Sequence, residues 1–341
     1  MKKSIYVIAT LFLVACGPKE EQKATPVDAT QTEATVTEIE EDSVLTAINA
    51  KIRNDINNKD LYLERCNYYL DREELEPAVS DMNRAFQIDT AYLPTLLRQA
   101  DYLTKRGKLE LGKSILEKAD KLHPENSKVH IGYSKLYLIA RNNEKSMIHS
   151  DLAVKYDLYN AEAYYLKGYN FLELGDTTKA ISSYRTAVEQ DPEHFPAFLE
   201  LGLIFSEQGD LLALEYFRNA LELRPNERRV LYSKGMFEQE NEMYNEAMLS
   251  YTQAIKAHPD FKEAHYNLGY VHLFYLKLYR QSQKYFTDAI AVDPNYIQAY
   301  YNRGYAFELL GDIGNAAKDY RKALEIDPSY DYAAQGLSRL N

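Results

Sequence analysis

Residues 297–330 decide the fold. They begin Ile297-Gln298-Ala299-Tyr300-Tyr301-Asn302-Arg303-Gly304-Tyr305-Ala306-Phe307, continue through Leu310-Gly311-Asp312, and then place Ala316, Tyr320, Ala323 and Pro328. Two segments with helical apolar spacing flank a Gly-Asp turn. The small residues Gly304, Ala316 and Ala323 let the two helices approach each other, and Tyr300, Phe307 and Tyr320 fill the space around them. Gly311 turns the chain and Asp312 offers an N-cap to the second helix. Pro328 ends that helix, because proline lacks an N–H and clashes with the preceding turn.

The same unit recurs upstream. Asp191-Pro192, Arg224-Pro225, His258-Pro259, Asp293-Pro294 and Asp327-Pro328 follow one another at spacings of 33, 34, 35 and 34 residues. A period near 34 marks a solenoid of helical hairpins. Alignment at that period gives eight units: 59–92, 93–126, 127–160, 161–194, 195–227, 228–261, 262–296 and 297–330. Unit five is one residue short and unit seven one residue long. Position 8 holds Cys66, Ala100, Ser134, Gly168, Gly202, Gly235, Gly269 and Gly304, and position 27 is Ala in every unit. This pattern of small residues, rings and a closing proline resembles the tetratricopeptide repeat (TPR). The resemblance implies an all-α, right-handed α-solenoid of eight TPR hairpins that binds other proteins, has no cofactor and catalyses nothing.

Departures from the pattern fall mainly in the first three units. Thr90 and Leu158 replace the closing proline, and Gly112 and Ser146 stand where Ala is usual, as Ser282 does in unit seven. Unit seven lacks the Gly turn and reads Phe274-Tyr275-Leu276-Lys277-Leu278-Tyr279, which predicts a longer first helix or a distorted turn. Solenoids need polar caps. Residues 43–58 read as an N-terminal capping helix with Leu45, Ile48, Ile52 and Ile56 inward, and residues 331–341 as a C-terminal one with Ala334 and Leu337 inward.

The N-terminus has a different character. Lys2 and Lys3 precede an apolar run from Ile5 to Val14 that is too short to span a bilayer, which takes ~20 residues. The run ends in Leu13-Val14-Ala15-Cys16, which resembles the lipobox of bacterial lipoproteins. That resemblance implies that residues 1–15 are a signal peptide and that Cys16 carries palmitate-type acyl chains, several of which anchor a protein stably. With Gly17 rather than Asp after the cysteine, it also implies the outer membrane; the chain is expected to face the periplasm, the alternative being the cell surface, since Lys19-Glu20-Glu21 resembles a surface-export signal. Residues 16–42 read as an acidic tether without aromatics, in which Lys19 and Lys23 stand against eight acids.

Composition narrows the function classes. A net charge of -11 argues against nucleic acid, which needs a basic face, and against adhesion to anionic lipid. Two cysteines, Cys16 and Cys66, exclude a disulfide scaffold. The chain has 30 Tyr, 12 Phe and no Trp, a bias toward rings with a polar tip that suit half-buried or partner-facing surfaces. No nucleophile motif or phosphate loop occurs. His265 and His272 fall at packing positions and read as core histidines.

In the tetratricopeptide family the first helix of each hairpin lines the concave groove, through positions 2, 5, 6, 9, 12 and 13. Here units two and three offer Arg98, Asp101, Lys105, Lys128 and Lys135. From unit four the groove turns apolar: Tyr165 and Tyr169, Leu199 and Leu203, Tyr232 and Met236, Tyr266 and Tyr270, Tyr301 and Tyr305, each pair four residues apart on one helix face. Asn267 and Asn302 sit where an amide meets a ligand backbone, and Glu200 and Glu240 add negative charge. These residues form the candidate groove, and Tyr266→Ala with Tyr301→Ala is expected to spare the melting temperature. The competing function class is a glycan-capturing outer-membrane lipoprotein, though such chains carry large insertions between hairpins.

Overall fold

The computed structural model describes residues 42–340, so the expected signal segment, Cys16 and the expected tether up to residue 41 lie outside the described residues. Within them the fold is all-helical. Helix α1 (Ser43–Asn54) is followed by paired helices α2 (Lys59–Leu70) and α3 (Leu75–Ile88), α4 (Leu93–Lys105) and α5 (Leu109–Leu122), α6 (Ser127–Ile139) and α7 (Asn143–Tyr156), α8 (Ala161–Glu173) and α9 (Thr177–Gln190). Then come α10 (Phe195–Glu207) and α11 (Leu212–Leu223), α12 (Arg228–Glu240) and α13 (Tyr244–Ala257), α14 (Lys262–Tyr270) and α15 (Tyr279–Val292), α16 (Ile297–Leu309) and α17 (Ile313–Ile326), and finally α18 (Asp331–Leu340). Among the described residues no helix is long and apolar enough to cross a membrane.

Each pair packs as a hairpin and each second helix packs on the next first helix. Several first helices also pack directly on their successors, as α4 does on α6, α6 on α8 and α10 on α12. That closer approach places the first helices along the inner face of the stack.

Position 8 meets position 24 at the heart of each hairpin, and the two residues are complementary in size. Cβ atoms built on Gly168, Gly202, Gly235 and Gly269 would lie 2.6 to 2.8 Å from ring carbons of Tyr184, Phe217, Tyr251 and Phe286. Those four rings are fully buried. In units one to three position 8 is larger than Gly: Cys66 packs with Met82, Ala100 packs with Leu116, and the Ser134 hydroxyl meets that of Ser146 at 2.9 Å. The first three hairpins therefore close by different packing, which explains their looser match to the repeat pattern.

The turn inside each hairpin needs one residue with positive φ. Gly107, Gly175, Gly209 and Gly311 supply it at φ 72°, 78°, 67° and 77°. Glu73, Arg141, Glu242 and Lys277 adopt it at φ 61°, 55°, 61° and 55° despite their side chains, at a cost of roughly 1–2 kcal/mol each. Glu242→Gly is expected to stabilise the array by about 0.5–1 kcal/mol after the entropy of the added glycine is subtracted. Thermal denaturation checks this, and a lower melting temperature would contradict it.

The distorted turn expected in unit seven takes a definite form. The extra residue is absorbed as a π-helical turn, Val271–Tyr275, closed by Leu276 N–H to Val271 O at 3.1 Å and Leu278 N–H to His272 O at 2.8 Å. One-residue insertions in helices are commonly accommodated this way. The second helices of units one and three end in register without a closing proline. Asp89 and Asp157 accept from the N–H groups of Ala91 and Tyr159 at 3.0 and 3.1 Å, the same local turn that Asp191, Asp293 and Asp327 make.

The ends are tied down. Asp42, assigned to the tether by sequence, caps α1 and accepts from Tyr68 Oη at 2.6 Å and Arg72 at 2.9 Å. Ile48 and Ile52 are buried, whereas Ile56 lies beyond the end of α1 and is 58% exposed. At the other end Ala333 and Gly336 are the buried residues of α18, with Leu337 half-buried and Ala334 turned outward. The first and last hairpins each carry a two-pronged ion pair at the same register. Arg65 grips Asp81 at 2.7 and 2.6 Å, and Arg303 grips Asp319 at 2.7 and 2.8 Å.

Candidate binding groove

The predicted groove residues separate into two sets once their neighbours are known. Those at position 5 are packing residues. Tyr165, Tyr232, Tyr266 and Tyr301 each lie between the ring at position 24 of the same unit and the side chain that opens the next first helix. Their centroids are 5.6, 6.2, 5.6 and 5.7 Å from Tyr184, Tyr251, Phe286 and Tyr320. On the other side they are 5.1, 5.2, 5.1 and 5.9 Å from His194, Phe261, Tyr296 and Tyr330. Leu199 is the buried equivalent in unit five. These rings buckle consecutive hairpins together, so the expectation that Tyr266→Ala with Tyr301→Ala spares stability does not hold.

The two asparagines belong to the same buckle. Asn302 is 4% exposed and donates to Tyr266 Oη of the preceding unit at 2.8 Å. Asn267 is 8% exposed and donates to Tyr232 Oη at 3.2 Å and to Met236 Sδ at 3.1 Å. Their amides, expected to meet a ligand, instead tie one first helix to the one before it.

Position 9 is different. Tyr169, Leu203, Met236, Tyr270 and Tyr305 are half-buried, and Tyr169, Met236 and Tyr270 lie outside the hydrophobic core clusters. They recur at one register on the first helices of five successive units. At the C-terminal end of this row Tyr270 lies 4.4 Å from Phe274, and Tyr275 stacks on Tyr244 at 4.2 Å. Phe274 and Tyr275 are 39% and 41% exposed because the π-helical turn rotates them out of the packing.

Electrostatics along this face are graded. In units two and three Lys105 pairs with Asp101 at 2.9 Å on its own helix, while Lys135 reaches Glu162 of unit four at 2.7 Å. Burial acts to raise the Glu162 carboxyl, but the hydrogen bond from His194 and the charge of Lys135 outweigh it and hold it at about 2. His194 Nδ1 accepts from the Ala197 N–H at 3.2 Å, so its Nε2 carries the proton donated to Glu162 at 3.1 Å. Burial raises the Glu200 carboxyl, Arg229 at 3.8 Å opposes that, and Glu207 adds to it.

Position 13, at the rim, was only partly read from sequence. It carries Glu173, Glu207 and Glu240 on three successive first helices, all exposed. Glu240 was recognised, and reading the same register in units four and five finds the other two.

The remaining candidates for chemistry are structural. Cys66 is fully buried against Ala78 and Met82, and burial pushes its thiol to about 11. His265 and His272 are buried against backbone carbonyls of Pro259 and Leu268 at 3.0 and 2.7 Å.

Comparison with known proteins agrees with this geometry. Residues 161–194, 262–296 and 297–330 match tetratricopeptide repeat models. Among curated proteins, the BBSome complex member BBS4 of Bos taurus is 26% identical over 185 residues, covering 52% of this chain and 35% of that protein. The DnaJ homolog subfamily C member 3 of Homo sapiens is 20% identical over 250 residues, covering 64% and 49%. The chain thus spans half or less of the length of these relatives. Among solved structures, the C-terminal part of a TPR repeat-containing protein from Cytophaga hutchinsonii aligns with a TM-score of 0.60 at 18% identity, covering 71% of this chain and 99% of that one. The APC/C hetero-tetramer Cut9-Hcn1 aligns at 0.55 and 18%, covering 88% and 59%. At that identity the structural likeness establishes the fold alone.

Proposed function

We propose that this array of tetratricopeptide repeats is a non-catalytic scaffold that holds a segment of another protein against its inner face. The observation that carries the reading is the position-9 row. Every ring at position 5 is engaged between hairpins, yet Tyr169, Met236 and Tyr270, at the same register in units four, six and seven, lie outside the core clusters. A contiguous, partly exposed apolar row rimmed by charge is the usual make-up of a protein-binding patch. The relatives lend support, since one is described as a member of the BBSome complex and one structural neighbour as part of a hetero-tetramer.

The setting belongs to the same proposal. Leu13-Val14-Ala15-Cys16 supports a lipid anchor on Cys16. The chain would then work at a bacterial outer membrane, on the periplasmic side, within an assembly, secretion, motility or proteolysis complex. Cys16→Ser is expected to move the protein from the membrane to the soluble fraction and to abolish fatty-acid labelling.

The groove itself is tested by in-cell cross-linking and affinity purification. Tyr169→Ala with Tyr270→Ala is expected to reduce partner capture about tenfold or more, because partly desolvated aromatic contacts dominate such interfaces, while the melting temperature stays near that of the parent. Tyr266→Ala with Tyr301→Ala lowers the melting temperature instead. Unchanged capture by the first pair would refute the groove, and binding of a defined glycan through Tyr169 and Tyr270 would replace a polypeptide partner with a sugar.

A further inference from the structure

The partner segment is identifiable by its charge. Glu173, Glu207 and Glu240 occupy the same register on α8, α10 and α12, are exposed, and have no ion-pair partner among the described residues. They run beside Tyr169, Leu203 and Met236 of the apolar row. On the same helix as Glu240, Arg229 pairs with Glu200 at 3.8 Å. Among the described residues no three His, Cys, Asp or Glu side chains are grouped to hold a metal ion, so the carboxylates are not a metal cluster.

A second observation sits beneath them. Position-24 tyrosines elsewhere direct their hydroxyls to the residue at position 12. Tyr251 Oη donates to Gln239 at 3.1 Å, and Tyr320 Oη donates to Glu308. In unit four position 12 is Leu172, and the fully buried Tyr184 hydroxyl has no hydrogen-bond partner. The Tyr165 ring packs 5.6 Å from the Tyr184 ring, and burial, helped by the charge of Glu200, raises the Tyr184 hydroxyl. An unpaired buried hydroxyl is costly to the fold.

We propose that the groove over units four to six takes a cationic, amphipathic segment of a partner protein. Its lysine or arginine side chains face Glu173, Glu207 and Glu240 and its apolar side chains rest on Tyr169, Leu203 and Met236. This rests on the groove reading above and adds the chemistry of the occupant. Packed helices are ~8–10 Å apart and an extended chain rises about 3.3 Å per residue. A cation at every third residue therefore recurs about every 10 Å, the scale of that helix spacing.

The test uses the full-length chain in detergent and three fluorescein-labelled peptides of about twelve residues, long enough to cross three units. One carries Lys at every third position with Leu and Ser between, and the others replace Lys by Glu or Ser. The Lys peptide is expected to bind, the Glu peptide not to bind, and Glu173→Gln/Glu207→Gln/Glu240→Gln to weaken the Lys peptide about tenfold and flatten its salt dependence. Equal binding of the Ser peptide, lost only in Tyr169→Ala/Tyr270→Ala, would overturn the charge assignment and leave the groove standing. Lys-peptide binding that survives both sets of substitutions, or no binding of any peptide, would overturn the proposal. So would self-association in analytical ultracentrifugation that the triple substitution abolishes, which would make the occupant a second copy.

Discussion

Gly235→Ala combined with Tyr251→Leu is expected to cost less stability than the two changes cost separately. Alone, Gly235→Ala places a methyl 2.7 Å from the Tyr251 ring, which is fully buried and has nowhere to move. Overpacking of that kind costs about 1–3 kcal/mol, less up to ~1 kcal/mol regained from the better helix propensity of alanine. Alone, Tyr251→Leu leaves a cavity above Gly235 and strips Gln239 of its hydroxyl partner, costing about 2–4 kcal/mol. Together they install the pairing that unit two already uses, Ala100 against Leu116. A coupling energy of about 1 kcal/mol or more is expected. Denaturant unfolding of the parent, both single variants and the double variant measures it, and strict additivity would show that positions 8 and 24 do not form one packing unit.

The second large effect is acid sensitivity in unit three. His130 Nδ1 and His149 Nδ1 lie 3.1 Å apart, and the two rings stack among Tyr133, Tyr137 and Tyr156. One ring must donate and the other accept, so the contact is lost once both rings are protonated and no acceptor remains. Burial pushes His149 down to about 4, and His130 and Lys145 push the same way against Asp120. Burial also lowers His130. The sign follows directly. With the folded values below the unfolded value near 6.5, the unfolded chain takes up protons first, so stability falls as pH drops through 6.5 toward 4 and the loss levels off below that. About 1–2 kcal/mol should disappear between pH 7 and pH 5. Asp and Glu groups held low by their partners, such as Glu162 at about 2, respond only at lower pH. His149→Phe is therefore expected to halve the slope of stability against pH in this window. An unaltered slope would mean that the pair carries no linkage.

Much of the architecture was legible in the sequence because the repeat is written in local chemistry. The hairpin helices, their turns and the terminal helices follow from small residues, rings, glycines and prolines at fixed spacing. Each of those constraints acts within one unit, on backbone conformation or on the contact between two adjacent helices. The candidate groove was legible only as a register. Positions 5 and 9 share a helix face, and sequence alone treated Tyr165 and Tyr169, or Tyr266 and Tyr270, as equivalent pairs.

The tertiary structure separated them, for a physical reason. Which ring is consumed depends on what the next hairpin presents, and that is a contact between residues about thirty positions apart. His194, Phe261, Tyr296 and Tyr330 take up the position-5 rings, and Asn267 and Asn302 tie down two of their hydroxyls. The orphan hydroxyl of Tyr184, by contrast, arises within one hairpin, because Leu172 stands where Gln239 and Glu308 stand in other units. The sequence by itself determined a stack of helical hairpins and the helix face that looks inward. Only the packing between hairpins decided which of its tyrosines hold the stack together and which stay outside the core on the inner face.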